Sequence, residues 1–168
     1  NNLKIDNLNL LLNEQDLIFP NIEASKLKDK FLIKGEFNNN NVVLDENKIE
    51  NYFGNEFYLD IKKIEFKSKN EFSLQIDKSL KFTNLNINSY INLKELLFLD
   101  KGLNNFFPEI KDQIKLINHE INLSYNKDDL KIKGSGKFLI QEEDKIQYDI
   151  STKNGKFDLL TLFEVKNN

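Results

Sequence analysis

The chain has no cysteine, methionine, tryptophan or arginine, a single histidine, two prolines and six glycines in 168 residues. Without cysteine there is no disulfide and no thiolate metal site within it. Without arginine there is no planar fork for bidentate phosphate or guanine contacts, and 24 lysines against 27 acids leave a net charge of −3 with no basic excess. That combination disfavours a nucleic-acid partner. The lone His119 has no second ligand for a histidine zinc site and no partner pattern for a Ser-His-Asp triad, so it reads as a surface or strand-edge residue. Long apolar runs are also missing: nothing approaches the ~18 to 20 residues of a membrane helix, and no signal peptide is visible.

Asparagine, lysine, isoleucine and phenylalanine dominate, as an AT-rich genome would encode, and the asparagine excess is read as codon bias first. The length suits one domain. The ends, Asn-Asn and Lys-Asn-Asn, suggest a segment of a longer protein. Three parts are expected: strands over 1–92, a helical insertion over 93–118 and strands over 119–168.

The alternation is cleanest from Leu130 to Ile150. Leu130, Ile132, Phe138 and Ile140 share one parity with Gly134 and Gly136, while Lys131, Lys133, Ser135 and Lys137 take the other. The acidic run at 142–144 then reverses the chain, and Ile146, Tyr148 and Ile150 repeat the pattern, giving a hairpin with a four- or five-residue polar loop. Upstream, Phe31, Ile33, Gly35 and Phe37 alternate, as do Phe57, Leu59 and Ile61, and Phe72, Leu74 and Ile76. Polar stretches at Asn38 to Asn41 and Ser68 to Asn70 read as turns. The parity slips between Ile5 and Leu8, at Lys62-Lys63, and between Phe82 and Leu85, where bulges would bend a strand. From Leu93 to Ile117 apolar residues recur at threes and fours, and Gly102 and Pro108 divide them into two short helices. The last strand, Lys156 to Val165, is apolar on both faces and should be buried on both sides or lie at a junction.

The fold expected is therefore mainly β, with ten to twelve strands in a curved, strongly twisted antiparallel sheet, and a helical pair at about 93–117 as a partial lid. Two or three strands are all that such a lid covers, given widths of about 10 Å for a helix and 4.8 Å for a strand. The rest of the apolar face must meet a second sheet or a ligand, because leaving it wet costs roughly 25 cal/mol per Å². No catalytic constellation presents itself. Glu142, Glu143 and Asp144 lack calcium-loop spacing and read as a solvated tip, so neither metal nor cofactor is expected. Gly134-Ser135-Gly136 lies inside a strand pattern with no helix after it, so its glycines read as curvature points and not a phosphate loop.

Two stretches carry a resemblance. Ile22-Glu-Ala-Ser-Lys-Leu27 through Phe31-Leu-Ile-Lys-Gly-Glu-Phe37 looks like the strand, link, glycine-bearing strand unit of AsmA-like proteins. Ile121-Asn-Leu-Ser-Tyr125, Leu130 to Phe138 and Asp144 to Ile150 resemble the C-terminal region of that superfamily. The resemblance implies a non-enzymatic periplasmic protein of the Gram-negative envelope, held to the inner membrane by an N-terminal helix outside this sequence. It further implies an open β-groove or half-barrel whose apolar lining binds phospholipid acyl chains moving between inner and outer membranes, or serves outer-membrane homeostasis. The lining expected is Phe31, Ile33, Phe57, Leu59, Phe72, Leu74, Ile132, Phe138, Ile140, Ile146 and Ile150. The alternative is a structural or adhesive β-sandwich of a bacterial surface protein, without ligand.

Overall fold

The computed structural model describes residues 2–12, 15–53, 60–99, 113–127, 129–139, 143–153 and 155–164. They form nine strands and one helix: β1 (Asn2–Leu12), β2 (Gln15–Leu27), β3 (Lys30–Asp45), α1 (Glu46–Phe53), β4 (Asp60–Asp77), β5 (Phe82–Leu99), β6 (Ile114–Asn126), β7 (Asp129–Leu139), β8 (Glu143–Lys153) and β9 (Lys156–Glu164). Each strand pairs antiparallel with the next in sequence, so the sheet is a single meander in the order β1 to β9, curved and not closed into a barrel. The described strands make no second sheet, so the sandwich alternative is not what they build.

There are fewer strands than expected because two of them run straight through the supposed turns. Asn38 to Asn41 lies inside β3, where the register against β4 shifts between Asn39 and Val42. Ser68 to Asn70 lies inside the 18-residue β4. These side chains bond sideways within the sheet instead of closing turns: Asn39 Nδ2 donates to Ser68 Oγ at 2.9 Å and Asn70 Nδ2 to the Phe37 carbonyl at 2.9 Å. A polar amide satisfied by a neighbouring strand carries no turn signal.

Two of the three anticipated parity slips are bulges, and the one between Ile5 and Leu8 is a left-handed residue in an unshifted ladder. Asn7 and Asn84 sit in the left-handed region (φ 57° and 52°), and the β4·β5 register shifts between Ile61 and Lys63. Asn118 (φ 53°) makes another, where β6 slips against β7 between Ile117 and Glu120. Asparagine tolerates that conformation better than any other residue except glycine, so part of the asparagine excess has a structural use.

The helical pair is not found in the residues described. Leu93, Leu96 and Leu97 lie in β5, and Ile114 and Ile117 in β6; Leu103, Phe106, Phe107 and Ile110 fall outside the described residues. The misreading has a simple cause. Phe66 pairs with Leu93 and Ile64 with Leu96, so an extra residue at Lys94-Glu95 turns a spacing of two into a spacing of three. The helix that does form is α1. Asp45 caps it, accepting from the Lys48 N–H at 3.0 Å, and Ile49 packs with Val42 and Leu44 beside Ile61, Ile64 and Phe66.

Opposed residues of an antiparallel ladder point to the same side, so the register sorts the side chains into two faces. One unbroken row crosses all nine strands: Ile5, Ile22, Gly35, Phe72, Ile87, Tyr125, Leu130, Thr152 and Phe157. The adjacent row on the other side reads Lys4, Glu23, Lys34, Ser73, Asn86, Asn126 and Asp129. The sheet is therefore largely apolar on one face and polar on the other from β1 to β7, while β9 carries Leu160 and Leu162 on the polar side.

Candidate functional site: the apolar face

Eight of the eleven expected lining residues fall on the apolar face. Phe31 and Ile33 of β3 pair with Ile76 and Leu74 of β4, and Phe72 pairs with Gly35. Ile132 pairs with Ile150, Gly136 with Ile146, and Phe138 of β7 with Leu116 of β6. Phe57, Leu59 and Ile140 lie outside the described residues. The same parity recruits residues not anticipated as lining, among them Ile22, Ile87, Leu93, Ile121, Leu123 and Leu159. Their signal was present in the alternation but interrupted by bulges.

Burial over this face is uneven. Leu93 and Ile114 near its centre are 6% and 2% exposed, and Val42 and Leu44 lie under α1. Toward the rims the face is open: Leu3, Phe82, Phe157, Leu159 and Phe163 are each more than half exposed. A scatter of exposed apolar residues is ordinary, but a contiguous patch marks a contact surface. Aromatic rings link it laterally, Phe19 to Phe37 at 5.9 Å and Phe37 to Phe72 at 6.0 Å.

His119 is not at the surface. It projects from β6 onto the apolar face and is 1% exposed. Its Nε2 lies 2.9 Å from the Lys137 carbonyl, an acceptor only, so Nε2–H donates; Nδ1, 3.2 Å away, then accepts from the Tyr148 hydroxyl. The rings of His119 and Tyr148 stack at 5.7 Å across β7. Gly134 and Gly136 make that possible. A Cβ on Gly134 would land in the Tyr148 ring, and one on Gly136 in the His119 ring. The two glycines read as curvature points are thus seats for side chains from the neighbouring strands.

Burial holds the His119 imidazole below its usual value, partly offset by the Lys137 carbonyl, and pushes Tyr148 up to about 12. The fold therefore keeps His119 neutral while the unfolded chain takes up a proton near pH 6.5. Stability from this group is fully present above pH 6.5 and declines as pH falls through the depressed folded value. Urea midpoints are expected to drop between pH 7.5 and 5.5, with that drop abolished in His119→Phe.

On the polar face an ion-pair cluster joins the central strands. Glu65 receives Lys94 at 2.6 Å and Lys63 at 3.2 Å, and Lys63 also reaches Glu95 at 3.0 Å. The lysines, Lys94 first, hold the Glu65 carboxyl below its ordinary range. A depression of about 570 Å³ also opens on this face, running from Glu36 of β3 past Lys69 and Tyr90 to Lys133 of β7. None of the eleven expected residues lines it. No family model, curated protein or solved structure matches the chain.

Proposed function

We propose that this chain is part of an AsmA-like lipid conduit whose apolar face solvates phospholipid acyl chains in the periplasm, with headgroups at the wet rim, for transfer between inner and outer membranes. The observation that carries the reading is the continuous apolar row over nine strands, which the described residues cover with one eight-residue helix at one end. An acyl chain suits such a surface: it is apolar, flexible along its length, and needs no directional partner. Its burial is worth about 0.8 kcal/mol per CH₂. No bond is made or broken, which agrees with a face that carries mainly apolar contacts, with the internally bonded His119–Tyr148 pair and the buried Ser68 and Asn70 side chains set among them.

The test separates the two faces. The chain, purified without detergent from a Gram-negative host, is expected to carry phospholipid on extraction and mass spectrometry. A photoreactive phenylalanine at Phe72 or Ile132 should become linked to lipid, while the same group at Glu71 or Lys133, one residue away on the polar face, should not. A lipid-free preparation, or equal labelling of both faces, would discard the reading.

A further inference from the structure

The two edges of the sheet differ. β1 is guarded: Asn7, in the left-handed region, and Pro20 opposite it are skipped in an otherwise unshifted ladder, and Lys4 and Asp6 form an ion pair along β1 at 3.2 Å. Charges of this kind are one way that edge strands avoid pairing. β9 has no bulge, no register shift against β8 and no proline. Phe157, Leu159 and Phe163 on one side, and Leu160 and Leu162 on the other, are all between 56% and 63% exposed. The strand anticipated as buried on both sides or at a junction is exposed on both sides among the described residues.

Its sequence is self-complementary. Lys156-Phe-Asp-Leu-Leu-Thr-Leu-Phe-Glu164, laid antiparallel on a second copy about a two-fold axis through Leu160, sets Lys156 against Glu164, Phe157 against Phe163, Asp158 against Leu162 and Leu159 against Thr161. Leu160 meets itself. Lys156 otherwise stands opposite another lysine, Lys153, and has no ion pair among the described residues, while Glu164 already receives Lys145 at 3.2 Å. In the paired arrangement the carboxylate lies between two ammonium groups and the like-charged Lys153–Lys156 pair gains an anion. A two-fold axis perpendicular to the sheet keeps Phe157, Leu159 and Phe163 of both copies on one side, so the apolar faces run together.

We infer that β9 is the seam of a symmetric dimer, with strand pairing centred on Leu160 joining two nine-stranded sheets into one of eighteen. Closed two-fold pairing consumes the unguarded edge on both copies and leaves only the guarded β1 edges free. The pairing does not need a lipid, so its failure and that of the conduit reading are separately observable.

The chain has no cysteine, which makes the register testable. Sedimentation of the full 168-residue chain should show a dimer. Leu160→Cys should oxidise to a covalent dimer in high yield, because facing residues on such a ladder bring Cβ atoms within disulfide reach. Asp158→Cys and Leu162→Cys should each fail to link alone and should link when mixed. Lys156→Glu should weaken the dimer about fivefold, with recovery in Lys156→Glu combined with Glu164→Lys. A monomer that Leu160→Cys does not cross-link would overturn the seam, and so would equal linking at 158, 160 and 162, the mark of unspecific edge aggregation.

Discussion

Gly35→Ala is expected to lower the unfolding free energy by about 3 kcal/mol, at the upper end of what forced overpacking costs. Gly35 stands between Ile22 on β2 and Phe72 on β4. A methyl group there would run into the Asn21 carbonyl oxygen and close on the Ile22 Cα, both backbone, before it met the Phe72 ring. Side chains can turn aside, but backbone atoms held in two ladders cannot. Truncating the ring should therefore not help: Gly35→Ala with Phe72→Ala should be worse than either alone. Gly155→Ala gives the contrast. Gly155 has open space around its Cα but φ +73°, so the methyl costs only the left-handed penalty, about 1 kcal/mol. Urea unfolding of the purified variants, followed by far-ultraviolet circular dichroism, measures both. A Gly35→Ala protein as stable as Gly155→Ala would show that β2 and β3 separate more easily than their register implies.

The one-sided sheet was legible because period two survives a bulge on either side of it. Ile5 to Leu8 and Phe82 to Leu85 disclosed their backbone irregularities by the slip itself, and the left-handed Asn7 and Asn84 occupy those positions. What alternation cannot disclose is a bulge set among leucines. At Leu93 to Leu97 the shifted spacing imitated a helix, and nothing local distinguishes the two, since the difference lies in partners on β4 and β6. The asparagines at 38 to 41 misled for a related reason. Their amides are turn formers in isolation, yet Asn39 bonds to a serine 29 residues away. Gly134 and Gly136 were recognised as strand glycines, but the ring seats they provide were not. A seat for a ring is a statement about strands on either side, β6 and β8, and periodicity along β7 contains no information about them. The expected lining fared better because face membership is inherited from parity alone, whereas coverage of that face is a property of the whole chain.

The His119 seat yields the second large effect, and here the outcome is reversible. His119→Ala removes a buried ring and strips the Lys137 carbonyl and the Tyr148 hydroxyl of their shared partner. Lost packing and two unsatisfied polar groups together should cost about 3 kcal/mol. Gly136→Ala should cost about 2 kcal/mol, since its methyl occupies the space of the imidazole. Added independently they would remove about 5 kcal/mol, a large part of a domain's stability. The obstacle to the methyl, however, is a side chain: the nearest atoms are Cδ2, Cγ and Nε2 of His119. With the ring gone the methyl fills part of the void, so the double variant should be no less stable than His119→Ala alone. The coupling of about 2 kcal/mol is what a double-mutant cycle reads directly. Additive losses would mean that Gly136 serves strand curvature after all, independently of the ring. The cycle also bears on the apolar face, because His119 and Tyr148 form a buried polar bridge across β7 amid apolar residues. If the bridge is satisfied internally, as the 2.9 and 3.2 Å contacts indicate, it offers an acyl chain only ring edges and adds no unpaired polar group to the face.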